Sequence, residues 1–197
     1  MPDFKQLTEV FNVDAVSHPF NSVLVSNLHV YTDFPREGVN FIDVFPIFRS
    51  KYLLSRIASA MKRAVDEVKS IESVTAVAAP ESRGFTLGIL LAQTLGVPFI
   101  PFRKPNKLPC PTVSQQYALE YGYDTLEFPK DVLTADDRVL IVDDLIAIGG
   151  TMKAMIDLIR NDTEATVHSA LSLINLVDFP KPECGAPVTS LLYLKQK

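Results

Sequence analysis

Cysteine is scarce in this chain. Cys110 and Cys184 are the two cysteines among 197 residues, and they form no CxxC pair. So few cysteines at this separation indicate neither a disulfide framework nor a zinc site. We therefore expect a protein of a reducing compartment, the cytoplasm.

The chain also lacks an excess of positive charge. Its 19 lysines and arginines are outnumbered by 23 aspartates and glutamates, which gives a formal net charge of -4. A protein that binds nucleic acid normally carries a basic excess, so we expect no nucleic-acid partner.

One long stretch without charge, GFTLGILLAQTLGVPFIPF (84–102), could be mistaken for a membrane span. Gly96 and Pro98 interrupt it, so it predicts a buried helix over 85–95 followed by a strand over 97–102. Because a membrane span tolerates such a break poorly, we expect no membrane association.

The remaining composition is that of a globular protein. Hydrophobic residues make up 47% of the chain and charged residues 21%, which is typical of globular domains. A length of 197 residues provides one substantial core and is short for two. With no internal repeat or low-complexity linker in sight, we predict a single domain over 1–197.

Helical and strand patterns alternate along most of the chain. The segment over 105–130 is polar and aromatic, and it indicates a loop or a hairpin. Strands that alternate with helices predict an α/β fold, and nearly continuous aliphatic strands predict a mostly parallel central sheet with helices on both faces. Besides 85–95 and 97–102, the patterns predict helices over 50–69 and 149–160 and strands over 74–79, 137–144, 166–177 and 188–194.

The segment VLIVDDLIAIGGT (139–151) carries the clearest chemical signal. Asp143 and Asp144 stand side by side at the predicted end of an aliphatic strand, and Gly149, Gly150 and Thr151 begin the next helix. Unpaired N–H groups at a helix start suit a phosphate, and glycines let the backbone approach it closely. Two adjacent carboxylates can accept hydrogen bonds from vicinal hydroxyls. The segment therefore predicts a site for ribose 5-phosphate.

A simple helix cap or a common nucleotide-binding loop fits this segment less well. An aspartate at a strand exit often only caps the following helix, but a cap does not require the second aspartate or the two glycines. The spacing matches neither the GK[ST] of a Walker A loop nor GxGxxG.

The segment resembles the 5-phosphoribosyl-1-pyrophosphate (PRPP) loop of type I phosphoribosyltransferases, and in particular their adenine branch. Four further segments resemble that family and occur in its order. They are the base-binding segment DFPREGVNFID (33–43), the pyrophosphate turn ESRGF (81–85), the basic stretch RKPNKLP (103–109) and YALEYG (117–122), the tip of a mobile catalytic loop.

The resemblance implies an architecture and an activity. It implies an N-terminal hood over about 1–48 and a flexible catalytic loop over about 105–130. It also implies transfer of ribose 5-phosphate from PRPP to adenine, which gives AMP and pyrophosphate and serves purine salvage. Mg²⁺ is the implied cofactor, held mainly by substrate oxygens with no direct protein ligand, as this ion prefers. A homodimer is the implied assembly.

The resemblance also implies roles for individual residues. Since charge builds up on the leaving pyrophosphate, cations are needed there. Without the resemblance, RKPNK would be interpreted as a solvated turn, and Glu120 would be interpreted as an ordinary exposed acid of a loop. The implied roles are catalysis for Glu120; phosphate and ribose binding for Asp143, Asp144, Ala147, Ile148, Gly149, Gly150 and Thr151; pyrophosphate binding for Ser82, Arg83, Arg103, Lys104, Lys107 and Tyr121; and base binding for Asn40, Phe41, Ile42 and Leu145.

Two positions depart from the family pattern. Ile42 stands where the family usually has an arginine beside the base, and Ile148 stands where the phosphate loop usually has a threonine. The first departure leaves open a transferase for another base, or a weakly active or non-catalytic protein that keeps the PRPP site. The second removes one hydroxyl donor from the phosphate cradle.

Overall fold

The computed structural model describes residues 4–15, 19–118 and 122–197. Its strands are β1 (Lys5–Gln6), β2 (Phe11–Ala15), β3 (His29–Thr32), β4 (Asn40–Asp43), β5 (Ala76–Pro80), β6 (Phe99–Phe102), β7 (Thr112–Ala118), β8 (Tyr123–Pro129), β9 (Arg138–Ile146), β10 (Thr166–Leu176) and β11 (Val188–Gln196). Its helices are α1 (Leu7–Val10), α2 (Pro19–Val25), α3 (Phe45–Phe48), α4 (Lys51–Asp66), α5 (Arg83–Leu95) and α6 (Gly150–Asp162).

A six-stranded sheet organises the described residues, in the order β2-β11-β10-β9-β5-β6. The five strands from β11 to β6 are parallel to their neighbours, and β2 runs antiparallel at one edge. This arrangement confirms the predicted α/β fold with its mostly parallel sheet. It places β9, the strand of the two aspartates, between β10 and β5.

Both faces of the sheet are covered, because alternate side chains of each strand point to opposite sides. Val77, Leu140 and Val142 pack with α4 and α5 on one face. Ala78 and Ile141 pack with α6 on the other. All five are completely buried, so the predicted helices on both faces are confirmed.

Several element boundaries differ from the prediction. Helix α4 ends at Asp66, three residues early, and α5 begins at Arg83, two residues before the predicted start. Strand β5 includes Pro80, one residue beyond the predicted strand over 74–79. Strand β9 continues to Ile146, because its ladder with β10 pairs Leu145 with Ile174 and extends one residue further. The two aspartates therefore lie inside the strand rather than at its end.

The N-terminal segment is divided between two sheets. Strands β1, β3 and β4 form a separate three-stranded sheet in which neighbours are antiparallel. Strand β2, by contrast, joins the large sheet through β11. The predicted hood over 1–48 thus includes one strand that belongs to the central sheet.

The segment over 105–130 contains an antiparallel hairpin of β7 and β8. Its base is attached to the sheet: the backbones of Arg103 and Glu127 exchange two hydrogen bonds of 2.7 Å, and the Phe128 ring stacks on Phe102 at 4.7 Å. Leu126 and Phe128 are buried. The second strand of this segment is therefore part of the core.

None of the helices within the described ranges has the length and hydropathy that crossing a membrane requires.

Candidate active site

A cavity of about 650 Å³ opens at the carboxyl ends of β5 and β9. This is the edge at which parallel α/β sheets bind their ligands. Five parts of the chain contribute to its wall: the N-terminal segment, the β5–α5 turn, the stretch after β6, the hairpin, and β9 with the start of α6. The lining residues are Arg36, Phe41, Pro80, Glu81, Ser82, Arg83, Gly84, Lys104, Tyr117, Asp124, Leu126 and every residue from Asp143 to Met152.

Asp143 and Asp144 form a buried carboxylate pair in this wall, with 9% and 4% of their surface exposed. Burial raises the pKa of both carboxyls, and the neighbouring charge of Asp144 raises the pKa of Asp143 further. Asp143 Oδ1 accepts a hydrogen bond of 2.8 Å from the backbone N–H of Asp144. Ionised carboxylates in this position need donors, which a ligand with hydroxyl groups can supply.

Arg83 lines the cavity and connects the N-terminal segment to β9. Its Nη1 donates to the carbonyl of Ile42 at 3.2 Å, and its guanidinium lies 5.0 Å from the centre of the Phe41 ring. Its Nε is 2.9 Å from Asp144 Oδ2, close enough for an ion pair. That oxygen is buried and has no aligned hydrogen-bond donor among the described residues. The pair is thus held by charge rather than by a directed hydrogen bond.

The loop from Ala147 to Thr151, for which the sequence predicts phosphate binding, lines the cavity and leads into α6. Gly149 has a φ of 88°, in the left-handed region that favours glycine, and α6 begins at the next residue. The side chains from Ala147 to Gly150 carry no polar atom, so the loop offers backbone N–H groups and the Thr151 hydroxyl. All five residues line the cavity together with Asp143, Asp144 and Leu145.

Arg103 is engaged by a carboxylate instead of facing the cavity. Glu81 Oε2 accepts from Arg103 Nε at 2.8 Å and from Nη2 at 2.6 Å, and Glu81 Oε1 accepts from the backbone N–H of Lys104 at 2.7 Å. Burial alone would raise the pKa of Glu81, but the hydrogen bonds from Lys104 and Arg103 outweigh it and lower that pKa. Arg103 Nη1 also donates to the carbonyl of Lys107 at 2.8 Å. Neither Arg103 nor Lys107 lines the described wall of the cavity.

The residues predicted to bind the base are divided. Phe41 and Leu145 line the cavity, whereas Asn40 and Ile42 are absent from the part of its wall that the structure describes. The Ile42 side chain lies in the hydrophobic core with 2% of its surface exposed. Any contact of Ile42 with a base would therefore come from its backbone, whose carbonyl already accepts from Arg83.

Of the residues predicted to bind pyrophosphate, Ser82, Arg83 and Lys104 line the cavity. Lys104 Nζ lies 3.1 Å from Asp124 Oδ2, and this hydrogen bond raises the pKa of Lys104. The predicted catalytic residue Glu120 and the predicted pyrophosphate contact Tyr121 lie outside the described residues.

The sequence prediction assigned no role to nine residues of the cavity wall. Tyr117 and Asp124 are directly opposite each other in the register of the hairpin, so an explicit alternation pattern for β7 and β8 would have placed both on one face. Arg36 sits in a turn in which Asp33 Oδ1 accepts from the Gly38 N–H at 2.8 Å. The nine residues are Arg36, Pro80, Glu81, Gly84, Tyr117, Asp124, Leu126, Ile146 and Met152.

Within the described ranges no group of three or more His, Cys, Asp or Glu residues is arranged to hold a metal ion.

Comparison with known proteins agrees with this geometry. The family described as "Phosphoribosyl transferase domain" matches residues 47–187. A curated relative from Campylobacter hominis, named adenine phosphoribosyltransferase, is 40% identical over 174 residues, which cover 85% of this chain and 91% of the relative.

Solved structures show the same likeness. Adenine phosphoribosyltransferase from Saccharomyces cerevisiae, complexed with adenine and an imino-altritol bisphosphate, has a TM-score of 0.79 and 35% identity, with 87% of this chain and 98% of that chain covered. The Trypanosoma brucei protein, in complex with AMP, pyrophosphate and ribose-5-phosphate, has a TM-score of 0.72 and 26% identity, with 84% and 71% covered. The chain therefore belongs to the type I phosphoribosyltransferase family, in its adenine phosphoribosyltransferase branch.

Proposed function

We propose that this protein transfers ribose 5-phosphate from PRPP to a ring nitrogen of adenine, giving AMP and pyrophosphate in purine salvage. One observation carries the proposal: a single cavity combines a helix-start cradle over 147–151 with the buried carboxylates of Asp143 and Asp144. A ribose 5-phosphate needs both features, because it presents a dianion at one end and two vicinal hydroxyls at the other. The relatives supply the choice of adenine, which is bound in the yeast structure.

The phosphate and the ribose would bind side by side. The 5-phosphate accepts from the backbone N–H groups at the start of α6 and from Thr151, where the helix dipole also favours negative charge. The ribose hydroxyls donate to Asp143 and Asp144. These hydrogen bonds would satisfy the buried Asp144 Oδ2, which lacks an aligned donor among the described residues.

The pyrophosphate would lie by the β5–α5 turn. Ser82, Arg83 and Lys104 surround this part of the cavity, and the positive charges of the arginine and the lysine oppose the negative charge that builds up on the leaving group. Arg83 meanwhile faces Asp144 at 2.9 Å, so binding requires it to share its charge between the carboxylate and the ligand. We also propose pyrophosphate binding by Arg103, Lys107 and Tyr121.

The base would lie between the N-terminal segment and Leu145. Phe41 offers a ring face on which a planar base can stack, and the backbones of Asn40 and Ile42 provide hydrogen-bonding groups for the base edge. We assign proton transfer at the base to Glu120, the acid of the YALEYG segment, as a general acid–base residue. Exclusion of water at this stage protects the activated ribose from hydrolysis.

Mg²⁺ fits this site as an ion bound through its substrate. The cavity has the two adjacent carboxylates of Asp143 and Asp144 but, among the described residues, no cluster of three metal-binding side chains. Mg²⁺ characteristically uses substrate phosphates and water together with few carboxylates. When bound it would neutralise charge on the pyrophosphate, and the two aspartates would hold it through water or through the ribose hydroxyls.

A homodimer in the cytoplasm is the proposed setting. We propose the homodimer because the resemblance to the family implies that assembly. Cys110 and Cys184 are free thiols, which suits a reducing compartment.

The proposal is tested by measuring pyrophosphate release with Mg²⁺ and PRPP in the presence of adenine, hypoxanthine, guanine, xanthine or uracil. We expect release with adenine and little with the other four bases. The Asp143→Asn/Asp144→Asn double variant is the matched control and should release none. Release with another base alone would replace adenine as the substrate, and the same rate in the double variant would remove the assigned ribose site.

A further inference from the structure

Tyr117 enters the phosphate end of the cavity from the hairpin. Its hydroxyl lies 3.4 Å from the Oγ1 of Thr151, the second residue of α6. Its partner across the hairpin is Asp124, which also lines the cavity and pairs with Lys104. The hairpin therefore meets the start of α6 through a hydroxyl–hydroxyl contact, next to the apolar packing of Val113 and Tyr117 against the core on this face.

The phosphate cradle is short of side-chain donors. From Ala147 to Gly150 no side chain has a polar atom, and Thr151 supplies the hydroxyl of the loop. A phosphate dianion has three terminal oxygens, each able to accept more than one hydrogen bond. Backbone N–H groups reach the oxygens on the helix side, and the opposite side faces the hairpin.

Tyr117 has the properties of a donor for that second side. It is half-buried, and burial raises the pKa of its phenol, so the hydroxyl keeps its proton at neutral pH. A protonated hydroxyl can donate to an anion, whereas a carboxylate in the same place would repel it. Asp124, the cross-strand partner of Tyr117, is instead neutralised by Lys104 at 3.1 Å.

We propose that Tyr117 is a substrate-binding residue, whose hydroxyl donates to the 5-phosphate held at the start of α6. The inference rests on the proposed function, since it requires a 5-phosphate in this cradle. It adds that the hairpin and α6 hold the same phosphate from opposite sides. Occupation of the cradle then fixes the position of the hairpin strand that carries Tyr117.

The test is a comparison of ligands that differ in the 5-phosphate. Calorimetry with ribose 5-phosphate and with pyrophosphate is carried out on the wild type, on Tyr117→Phe and on Tyr123→Phe. Tyr123 belongs to the same hairpin but is 75% exposed and absent from the described cavity wall. A hydrogen bond to a charged group is among the stronger ones. We therefore expect Tyr117→Phe to weaken the binding of ribose 5-phosphate by about tenfold. The affinity of Tyr117→Phe for pyrophosphate should equal that of the wild type. Tyr123→Phe should bind both ligands as tightly as the wild type does.

A second measurement separates binding from mere support of the loop. Ile148→Thr places another hydroxyl in the same cradle, so the loss caused by Tyr117→Phe should be smaller in that background. Equal affinities of wild type and Tyr117→Phe for ribose 5-phosphate would overturn the inference, as would an equal loss for pyrophosphate or an unchanged loss in the Ile148→Thr background. If the wild type itself binds no ribose 5-phosphate, the cradle is wrong and the proposed function fails with it.

Discussion

At the scale of single residues, the carboxylates of the site are held where they are unfavourable without a ligand. Asp143 and Asp144 are adjacent and buried, and burial raises the pKa of both. In the ligand-free protein at neutral pH their ionised forms oppose folding. Natural sites commonly give up stability for function in this way.

Replacement of Asp143 by asparagine should therefore stabilise the ligand-free protein at neutral pH. A carboxyl whose pKa is raised by folding is favourable when protonated, and it costs stability as the pH rises through its native-state pKa. We expect Asp143→Asn to gain about 1 kcal/mol, or about 2–4 °C in Tm for a chain of this size, at pH 8. The gain should vanish near pH 4.

Thermal unfolding followed from pH 4 to pH 8 provides the measurement. Asp136→Asn, at an exposed position, is the control and should show no such trend. A lower Tm of Asp143→Asn across this range would mean that the buried charge does not destabilise the fold.

At the scale of elements, helix α5 approaches the sheet so closely that two of its glycines have no room for a side chain. A Cβ on Gly84 would lie 2.8 Å from Pro80 Cδ and 3.0 Å from Asp143 Oδ1. A Cβ on Gly88, one turn later, would lie 2.8 Å from Ala79 Cβ and from Phe99 Cε2. The first glycine adjoins the site, and the second adjoins only the core.

This difference gives a matched pair of variants. Gly84→Ala and Gly88→Ala should each lower the free energy of unfolding by about 1–3 kcal/mol, because the added Cβ forces the strand or a neighbouring side chain to shift. Only Gly84→Ala should also weaken the binding of PRPP, since the added Cβ displaces Asp143. Urea unfolding gives the stabilities, and PRPP titration of the folded variants gives the affinities. An undiminished affinity in Gly84→Ala would show that Asp143 tolerates the displacement.

At the scale of the whole molecule, the cavity collects residues from the N-terminal segment to α6. A ligand that contacts all of these parts binds the folded chain and not the unfolded one. It should therefore stabilise the molecule as a unit rather than one region of it.

PRPP with Mg²⁺ should raise the Tm in proportion to the logarithm of its concentration. At 100 times its Kd, mass action contributes about 2.7 kcal/mol, which corresponds to about 5–11 °C for a chain of this length. Differential scanning calorimetry measures the shift. The Asp143→Asn/Asp144→Asn variant should show none, and a wild type without a shift would contradict binding to the folded chain.

The sequence predicted the βα units of this molecule well because their signals are local. The helical periodicity of α4 and the aliphatic run of β9 identify these elements without any knowledge of their neighbours. The loop from Ala147 to Thr151, which lines the cavity, was identified as a candidate in the same way, since it is contiguous. The short strands of the N-terminal segment, two to five residues long, carry too little pattern to be recognised.

Other features depend on contacts between distant parts of the chain. The partner of Arg103 is Glu81, 22 positions away, and Arg83 reaches the carbonyl of Ile42 across 41 positions. Tyr117 joins the site only because the hairpin folds towards α6. No local pattern contains these pairs, so the cavity wall was predicted in part and its internal pairing was not.

The burial of Ile42 bears on how divergent members of this family are judged. When sequences are compared position by position, an aliphatic residue at position 42 counts as the loss of a cation that contacts the base. In this fold the side chain instead fills the hydrophobic core beneath the N-terminal sheet, while the cation beside Phe41 comes from Arg83. Homologues with an aliphatic residue at this position should therefore not be classed as inactive on that ground.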